Sequence, residues 1–310
     1  MKSLKSNHPL HPLTSMGLGG PARYFVIVKR EKEMAEAIAH ASKHDLVWNV
    51  IGEGSNLIVS DKGFAGLIIK NEIWDIKISK HGVIVGAGAN LLNFIRKMNK
   101  LGLGGLEKMA GIPGTIGGAI YGCAGAYGQE IRDTIVRVRI FDGKIFRWLS
   151  GKQCRFNYRS SVFKTQKNWI IVAAEFKFKK SNLSALQKVS KNIVALRKKK
   201  YPPGLLCPGS FFKNVVTAEL PLRLQKRILP MVGQENLQAW HGKIPAAWFL
   251  DQIGAKGMKV RGIAVAQHHA NLVYNTGAGT VRDLEKIVKI LKIRVRRKFG
   301  VSLEEEVQYL

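Results

Sequence analysis

Acidic residues are scarce in this sequence of 310 residues. It contains 21 Asp and Glu against 50 Lys and Arg, which leaves a formal net charge of +29. So basic a balance raises the prospect of polyanionic partners such as nucleic acid, anionic lipid or a small molecule carrying phosphate. The basic residues are spread over the whole chain, without a basic tail or zinc-finger spacing. We therefore expect a solvated basic surface, with neither nucleic acid nor a membrane as partner.

Cysteine is equally scarce. Cys123, Cys154 and Cys207 lie far apart in the sequence and form no Cys-x-x-Cys pair. This spacing argues against a disulfide framework and a thiolate metal site, and it favours a reducing compartment. The N-terminal stretch also lacks an apolar run of the kind that a signal peptide needs. We expect no metal and a cytoplasmic protein.

Long hydrophobic runs are missing too. The longest uncharged stretch, Met109 to Gln129, reads MAGIPGTIGGAIYGCAGAYGQ and contains seven glycines. That composition is too weakly apolar for a membrane span. A glycine costs on the order of 1 kcal/mol relative to Ala inside a helix or strand, so close backbone approach to a ligand is a better explanation. We call this stretch the glycine ribbon.

What is present is a dense mixture of short strand-like runs and amphipathic helical runs, with 46% hydrophobic residues overall. The pattern predicts an α+β fold and not a regular doubly wound one. We expect strands at 22–28, 46–51, 67–70, 83–85, 134–141, 144–149 and 169–178, and helices at 31–44 and about 90–100.

A change of composition near residue 180 predicts a domain boundary. We expect an N-terminal domain over 1–180, with subdomains of about 1–70 and 71–180, and a C-terminal domain over 181–310. A helix should begin with Ser184 as its N-cap and end before the Tyr-Pro-Pro-Gly of 201–204. Its inward residues should be Leu186, Val189, Ile193 and Leu196.

The last long helix carries clear start and stop signals. Thr280 and Asp283 form a capping box, and Gly300 follows the final apolar residue. The expected inward stripe is Leu284, Ile287, Val288, Leu291, Val295 and Phe299. A short strand should close the chain within 301–310.

Two glycine-rich segments suggest a dinucleotide ligand. Residues 52–60, GEGSNLIVS, follow a predicted strand, and glycine there leaves backbone N–H groups accessible to a phosphate. Taken alone, this turn is explained equally well as a plain connection between strands. The glycine ribbon is the second segment, where uncharged N–H groups can bind a pyrophosphate without burying several cations.

Three other motifs carry reactive side chains. In CRFNYRSSVFK (154–164) an arginine stands between aromatic residues, which suits bidentate carboxylate binding, although a surface ion pair is the commoner reason for such an arginine. PGSFFKN (208–214) lacks the frame of a nucleophile elbow, and its serine could simply be a turn residue. The acidic run EEEV (304–307) would ordinarily be a solvated patch.

In this order along the chain, the motifs resemble the MurB family, the UDP-N-acetylenolpyruvoylglucosamine reductases. Nine segments carry the resemblance over nearly the whole chain: TSMGLGGPARYF, GEGSN, AGIPGTIGGA, AGAYG, FNYRSSVF, GSFFKN, KIPAAWFLDQIGAKG, HANLVYN and FGVSLEEEV. Each is modest alone, and nine in register are highly specific.

The resemblance implies a flavoenzyme with the FAD-binding fold of the vanillyl-alcohol-oxidase (PCMH) type. Two α+β subdomains would hold FAD non-covalently, and a C-terminal α+β domain would bind the substrate. NADPH would reduce FAD, and reduced FAD would pass hydride to C3 of UDP-N-acetylglucosamine enolpyruvate, with a proton added at C2 to give UDP-N-acetylmuramate. The C-terminal part is short, which favours the compact subtype without a tyrosine loop. We expect a monomer.

The resemblance also implies site residues. Arg159 would clamp the substrate carboxylate, Ser210 would deliver the proton to C2, and Glu306 would polarise the enol as a neutral acid. Glu305 and Glu304 are the register alternatives to Glu306. The other implied substrate contacts are Tyr158, Lys200, Asn214 and Gln252. The implied FAD contacts are Gly52, Gly54, Ser55, Asn56, Leu57, Ala110, Gly111, Pro113, Gly114, Thr115, Gly117, Gly118, Ala119, Gly125, Ala126 and Tyr127.

One position departs from the family pattern. Cys123 stands where the resemblance leads us to expect Asn. Its thiol would then either alter the hydrogen bonding to the cofactor or react with the flavin, whereas a free Cys is ordinarily a small buried apolar residue. Two alternative functions stay open: another flavin-dependent oxidoreductase of this fold, and a non-catalytic basic binding protein. The first alternative would have no need for Arg159, Ser210 and Glu306 together.

Overall fold

The computed structural model describes residues 4–310. Its helices are α1 Glu31–Lys43, α2 Leu91–Lys100, α3 Ile116–Tyr121, α4 Leu183–Lys200, α5 Leu222–Val232, α6 Gln234–Ala239, α7 Ala246–Gln252 and α8 Val281–Phe299. Within the described range, none of the helices is long and apolar enough to cross a membrane.

The strands are short and numerous. In chain order they are β1 Lys5–Pro9, β2 Pro21–Val28, β3 Trp48–Ile51, β4 Leu57–Ile58, β5 Phe64–Asn71, β6 Ile76–Ser79, β7 Gly82–Gly86, β8 Leu103–Gly104, β9 Gly125–Ala126, β10 Gln129–Glu130, β11 Ile135–Phe141, β12 Phe146–Ser150, β13 Ile170–Phe176, β14 Lys179–Lys180, β15 Val215–Val216, β16 Lys243–Ile244, β17 Lys259–Val260, β18 Ile263–Val265, β19 Val273–Asn275 and β20 Gln308–Tyr309.

The chain divides into two compact units, each made of three segments. Unit 1 comprises residues 1–9, 21–55 and 64–202, and unit 2 comprises 10–20, 56–63 and 203–310. By compactness the division falls after residue 202, and α4 packs on α2 within unit 1. Whether residues 181–310 act as the substrate-binding domain stays a prediction.

Unit 1 contains two sheets. The first has the order β1-β2-β5-β3, with β2 and β3 both parallel to β5. Helix α1 covers it with a buried stripe that includes Met34, Ile38 and Ala41. The second sheet is antiparallel, in the order β12-β11-β13-β7-β6, and packs against α2 and α3 around Phe94 and Phe176. The predicted strands of this part and both of its predicted helices are confirmed, with shifts of up to three residues at their ends.

Helix α4 corrects two details of the sequence prediction. Its N-cap is Asn182 and not Ser184, because the Asn182 side chain accepts a hydrogen bond from the Ala185 N–H. Its inward face also differs, since Leu196 is 52% exposed and Ser190 is buried instead. Ser190 faces inward because its hydroxyl accepts a hydrogen bond of 2.7 Å from the side chain of Asn99 in α2.

Unit 2 is built on α8. The capping box of Thr280 and Asp283 is formed, Gly300 is left-handed with φ +72°, and all six residues of the predicted stripe are buried. The stripe faces the sheet β17-β18-β19 and a core that contains Phe211, Phe212 and Phe249. The terminal strand is shorter than expected, because only β20 pairs regularly, parallel to β4, and Glu305 forms a single bridge to Phe212.

Candidate active site

The two glycine-rich segments lie against each other in unit 1. The loop that follows β3 passes so close to the glycine ribbon that a Cβ added to Gly52 would lie 2.4 Å from Thr115 Oγ1. Ser55 Oγ donates to the carbonyl of Pro113 at 3.2 Å, and a Cβ added to Gly114 would lie 2.7 Å from Ser55 Oγ. An added Cβ would meet the Thr115 side chain at Gly52 and the Ser55 side chain at Gly114, where φ is also +111°, so glycine suits both positions.

Thr115 anchors the ribbon. Its side chain caps α3 by accepting from the Gly118 N–H at 3.2 Å. The N–H groups of Ile116 and Gly117 donate to the carbonyls of Ala89 and Ala87 at 2.9 and 2.7 Å. These three ribbon N–H groups therefore already have acceptors within the protein, and they fix the shape of the ribbon against the second sheet.

The ribbon also contains left-handed backbone at residues other than glycine. Cys123 and Tyr127 have φ values of +44° and +51°. A side chain in this region costs roughly 1–2 kcal/mol. Such strain persists only where the surrounding structure enforces it, and it is concentrated at functional sites. The ribbon is thus a tightly determined surface, although it has no charged side chain.

Cys123 lies fully buried in the ribbon. Burial raises the pKa of its thiol to about 11, with a smaller contribution from the nearby Glu130 carboxylate. The nucleophile in cysteine chemistry is the thiolate, which this environment suppresses. These observations favour the small buried apolar residue over the flavin-reactive thiol.

Arg159 reaches the same ribbon from a tight turn. Asn157 and Ser160 exchange two backbone hydrogen bonds of 3.0 Å, which places Arg159 in a left-handed conformation with φ +51°. Its guanidinium donates to the carbonyl of Gly125 at 3.0 Å and to that of Cys123 at 3.4 Å.

The turn is supported on both sides of Arg159. The Lys164 ammonium donates to the Arg159 carbonyl at 2.8 Å, and the guanidinium carbon lies 5.4 Å from the centroid of the Tyr158 ring. The sequence therefore places a rigidly held cation beside the end of the ribbon.

A cavity of about 500 Å³ opens next to the contact between Gly52 and Thr115. It lies at the carboxyl ends of β2, β3 and β5, the edge of a parallel sheet where ligands bind. Lys29, Lys70 and Lys97 line it. Glu53 and Glu72 line it as well, and Lys70 pairs with Glu72 at 2.9 Å, so its walls carry both signs of charge. The cavity adjoins Gly52 and Thr115, whose contact with FAD stays a prediction.

In unit 2 the structure brings Ser210 and Glu306 onto adjacent backbone segments. Phe212 and Glu305 form an antiparallel bridge. The Glu306 N–H donates to the carbonyl of Phe211 at 2.8 Å, and the Lys213 N–H donates to that of Glu304 at 2.9 Å. We call Ser210 to Asn214 the serine segment.

The three glutamates of this motif have different partners. Glu304 pairs with Lys213 at 2.9 Å and is 74% exposed. Glu305 pairs with Lys292 at 2.9 Å and accepts a hydrogen bond from the Tyr309 hydroxyl. Burial and this bond to a carboxylate raise the pKa of Tyr309. Glu304 and Glu305 thus each form an ion pair with a lysine, and the choice of Glu306 among the three glutamates stays a prediction.

The remaining predicted residues fall in both units. Unit 1 holds Arg159, Tyr158, Lys200 and all of the predicted FAD contacts except Asn56 and Leu57, and unit 2 holds these two with Ser210, Asn214, Gln252 and Glu306. Lys200 ends α4, Asn214 accepts from the Ala246 N–H at 3.3 Å, and Gln252 ends α7 in an exposed position.

Three side chains make supporting contacts that the sequence reasoning did not predict. Arg197, which lies outside the predicted inward set of α4, donates from Nε to the Gly111 carbonyl at 2.9 Å. Asn56 donates to the Glu306 carbonyl at 2.9 Å, and Asn271 bonds to the backbone of Phe212. Asn56 and Asn271 each lie in a segment that carried the family resemblance, so the sequence pointed to both residues. It did not indicate which groups their side chains contact.

The same regions match known families. Residues 22–147, which include both glycine-rich segments, match the model described as FAD binding domain. Residues 202–310 match the model described as UDP-N-acetylenolpyruvoylglucosamine reductase, C-terminal domain. A UDP-N-acetylenolpyruvoylglucosamine reductase of Solibacter usitatus is 44% identical over 308 residues, which is 99% of this chain and 97% of that protein. The chain belongs to the UDP-N-acetylenolpyruvoylglucosamine reductase family.

More distant members of this reductase family also match over nearly the whole chain. The reductase of Lachnoclostridium phytofermentans is 33% identical over 98% of this chain and 92% of its own length. The crystal structure of the reductase (MurB) from Thermus caldophilus superposes with a TM-score of 0.75 at 25% identity, covering 99% of this chain and 97% of that one. The predicted family, the FAD-binding fold with a C-terminal domain and the FAD cofactor are confirmed.

Proposed function

We propose that this chain reduces UDP-N-acetylenolpyruvoylglucosamine to UDP-N-acetylmuramate, with FAD as cofactor and NADPH as hydride donor. The observation that carries the proposal is the bridge between the serine segment and Glu304–Glu306 within the part that matches the reductase C-terminal model. Two short motifs 91 residues apart, Lys213 to Glu304, are joined there, and they carry the two residues to which the resemblance assigns proton transfer and enol polarisation.

When bound, FAD would supply the hydride for C3 of the enolpyruvyl group, with NADPH as its source. The protein residues that would hold it are those of the 52–55 loop and the glycine ribbon, beside the lysine-lined cavity. Uncharged backbone there can approach the pyrophosphate closely without burying cations against it, and Lys29 and Lys97 lie nearby in the wall of the cavity.

We assign Arg159 to the substrate carboxylate. Addition of hydride at C3 leaves negative charge spread over C2 and the carboxylate, and a fixed cation stabilises that charge more in the transition state than in the ground state. A guanidinium has five N–H donors in a planar fork. The bonds to Gly125 and Cys123 fix the plane of this fork before substrate arrives.

We assign Ser210 as the donor of the proton to C2 and Glu306 as the group that polarises the enol. A hydroxyl is a weak acid in water, but a carbanionic C2 is a strong base, so correct placement and exclusion of water make the transfer favourable. Glu306 would act as a neutral acid, because a second negative charge beside the developing one would oppose the reaction.

The other assignments follow the resemblance. Tyr158, Lys200, Asn214 and Gln252 would bind the UDP-sugar, with the lysine and the asparagine at its diphosphate. A monomer and a cytoplasmic location stay predictions, and the free thiols of Cys123, Cys154 and Cys207 are consistent with a reducing compartment.

The test separates the two half-reactions under anaerobic conditions. The purified protein should be yellow, its flavin absorbance should bleach with NADPH, and the enolpyruvyl substrate should restore it with formation of UDP-N-acetylmuramate. A protein that bleaches but is restored only by a different acceptor would be another oxidoreductase of this fold. A colourless protein that cannot be reconstituted with FAD would refute the proposal in favour of a binding protein.

A further inference from the structure

Asn271 makes an unusual set of hydrogen bonds with the serine segment. Its side-chain oxygen accepts from the Phe212 N–H at 2.8 Å, and its side-chain amide donates to the Phe212 carbonyl at 2.8 Å. Its own carbonyl accepts from the Phe211 N–H at 2.9 Å. The residue is only 2% exposed. One buried asparagine thus imitates a neighbouring strand and pairs with two consecutive residues.

The other side of the serine segment is held by Glu304–Glu306. The Phe211 carbonyl accepts from the Glu306 N–H, and Phe212 forms the bridge with Glu305. The backbone just after Ser210 is therefore clamped from both sides. The two phenylalanine rings, both fully buried and 5.2 Å apart, fix its rotation about the chain axis.

We propose that Asn271 is a positioning residue for proton delivery by Ser210. The inference rests on the proposed function, since it assumes that Ser210 donates the proton to C2. Proton transfer depends steeply on geometry, and a misplacement of about 1 Å costs on the order of 100-fold in rate. Without the Asn271 amide, the Phe212 N–H and carbonyl lose their partners in a buried environment, and the segment shifts to find others.

Unit 2 offers a matched control. Asn275 is 5% exposed, and its side chain, like that of Asn271, bonds to backbone groups: it donates to the Met16 carbonyl at 3.0 Å and accepts from the N–H groups of Gly277 and Gly279 at 2.9 Å. Asn275→Ala therefore removes a comparable buried network without touching the serine segment. A general loss of stability would affect Asn271→Ala and Asn275→Ala alike.

The experiment measures both half-reactions in the holoenzyme. We expect Asn271→Ala to keep flavin reduction by NADPH within about twofold of the wild type and to slow reoxidation by the enolpyruvyl substrate about 30-fold. Asn275→Ala should leave both rates within about threefold. Hydrogen exchange of the holoenzyme provides a second readout, since the Phe212 amide, which donates to the Asn271 side chain, should lose protection in Asn271→Ala and keep it in Asn275→Ala.

A double variant tests whether Asn271 acts through Ser210. If it does, Asn271→Ala should slow reoxidation by less than about threefold once Ser210 is already Ala, because nothing is left to position. Multiplicative losses in the double variant, equal slowing of both half-reactions, or the same profile in Asn275→Ala would overturn the inference.

Should Asn271→Ala fail to fold, Asn271→Asp serves the same purpose. When ionised, the new side chain keeps the volume and the acceptor for the Phe212 N–H but places a charged oxygen, in place of the amide donor, against the Phe212 carbonyl, so a selective slowing of reoxidation is again expected. Normal reoxidation in a folded Asn271→Asp variant would overturn the inference. A wild-type enzyme that is not reoxidised by the substrate would instead refute the proposed function itself.

Discussion

The glycine ribbon and the serine segment are held in shape in opposite ways. The ribbon depends on atoms that are missing: a Cβ at Gly52 or Gly114 would collide with the facing segment at 2.4 or 2.7 Å. The serine segment depends on polar atoms that are present, because its backbone is bonded to Asn271 on one side and to Glu304 and Glu306 on the other. Substitutions that add atoms should therefore disrupt the glycine ribbon, and substitutions that remove polar atoms should disrupt the serine segment.

The largest effect should come from Ser210→Ala, which removes the proposed acid and leaves the segment's backbone bonds intact. General acid catalysis contributes about 10²- to 10⁴-fold, so reoxidation by the enolpyruvyl substrate should fall by about that factor. Reduction by NADPH should be nearly unchanged, as rapid mixing under anaerobic conditions would show. Equal losses in both half-reactions would contradict the assigned role.

Glu306 distinguishes the three glutamates. Glu306→Ala should slow reoxidation about 100-fold, because it removes a group directed at developing charge. Glu306→Gln, which keeps a hydrogen-bond donor, should lose only about tenfold if the acid acts in its neutral form.

Glu304→Ala provides the comparison for the register. It removes an ion pair with Lys213 in which the glutamate is 74% exposed, so steady-state activity should stay within about twofold. A larger loss for Glu304→Ala than for Glu306→Ala would show that the register is wrong.

Gly52→Ala tests the ribbon. Overpacking of this kind costs about 1–3 kcal/mol, which corresponds to roughly 10- to 100-fold weaker FAD binding if the loop must move away from Thr115. Gly122→Ala is the control, because its nearest contact would be 3.5 Å and its φ of −85° suits any residue. Titration of the apoprotein with FAD, followed by flavin fluorescence, measures both. Equal affinities would mean that the contact with Thr115 has no bearing on the cofactor.

The smallest effect concerns pH. Burial raises the pKa of the Cys123 thiol from 9.0 to about 11, so the folded protein holds this proton more tightly than the unfolded chain does. The corresponding stability is complete below about pH 9 and is lost as the pH rises towards 11, a change of about 2 kcal/mol. Cys123→Ala should flatten the pH dependence of the free energy of unfolding by that amount, measured in urea at pH 8 and pH 10.5. Parallel curves for the two proteins would contradict it.

The sequence predicted correctly those elements whose formation depends on residues close together in the chain. The capping box of Thr280 and Asp283, the buried stripe of α8 and the strands of the first unit follow from spacing within a few residues. The N-cap of α4 was wrong by two residues, because Asn182 and Ser184 both have capping side chains and only the folded chain decides between them. The inward turn of Ser190 was likewise hidden, since it depends on Asn99, which lies 91 residues away.

The candidate site shows the same limit. The resemblance supplied residue types and an order, and it supplied Ser210 and Glu306 as separate positions. The sequence did not show that these two positions lie on bridged backbone segments. Nor did it show that Asn271 bonds to Phe212, which is 59 residues away in the chain. Both contacts depend on long-range pairing that no local pattern encodes.

Unit 2 is assembled from three separate stretches of chain, and this has a consequence for biosynthesis. Met16, Leu18 and Ile58 belong to the same core as Phe211 and Phe249. On a translating ribosome the first two stretches emerge long before residues 203–310 exist. Their apolar side chains must therefore stay uncovered until the last third of the protein has been synthesised, so premature termination should leave a product that chaperones retain and proteases remove.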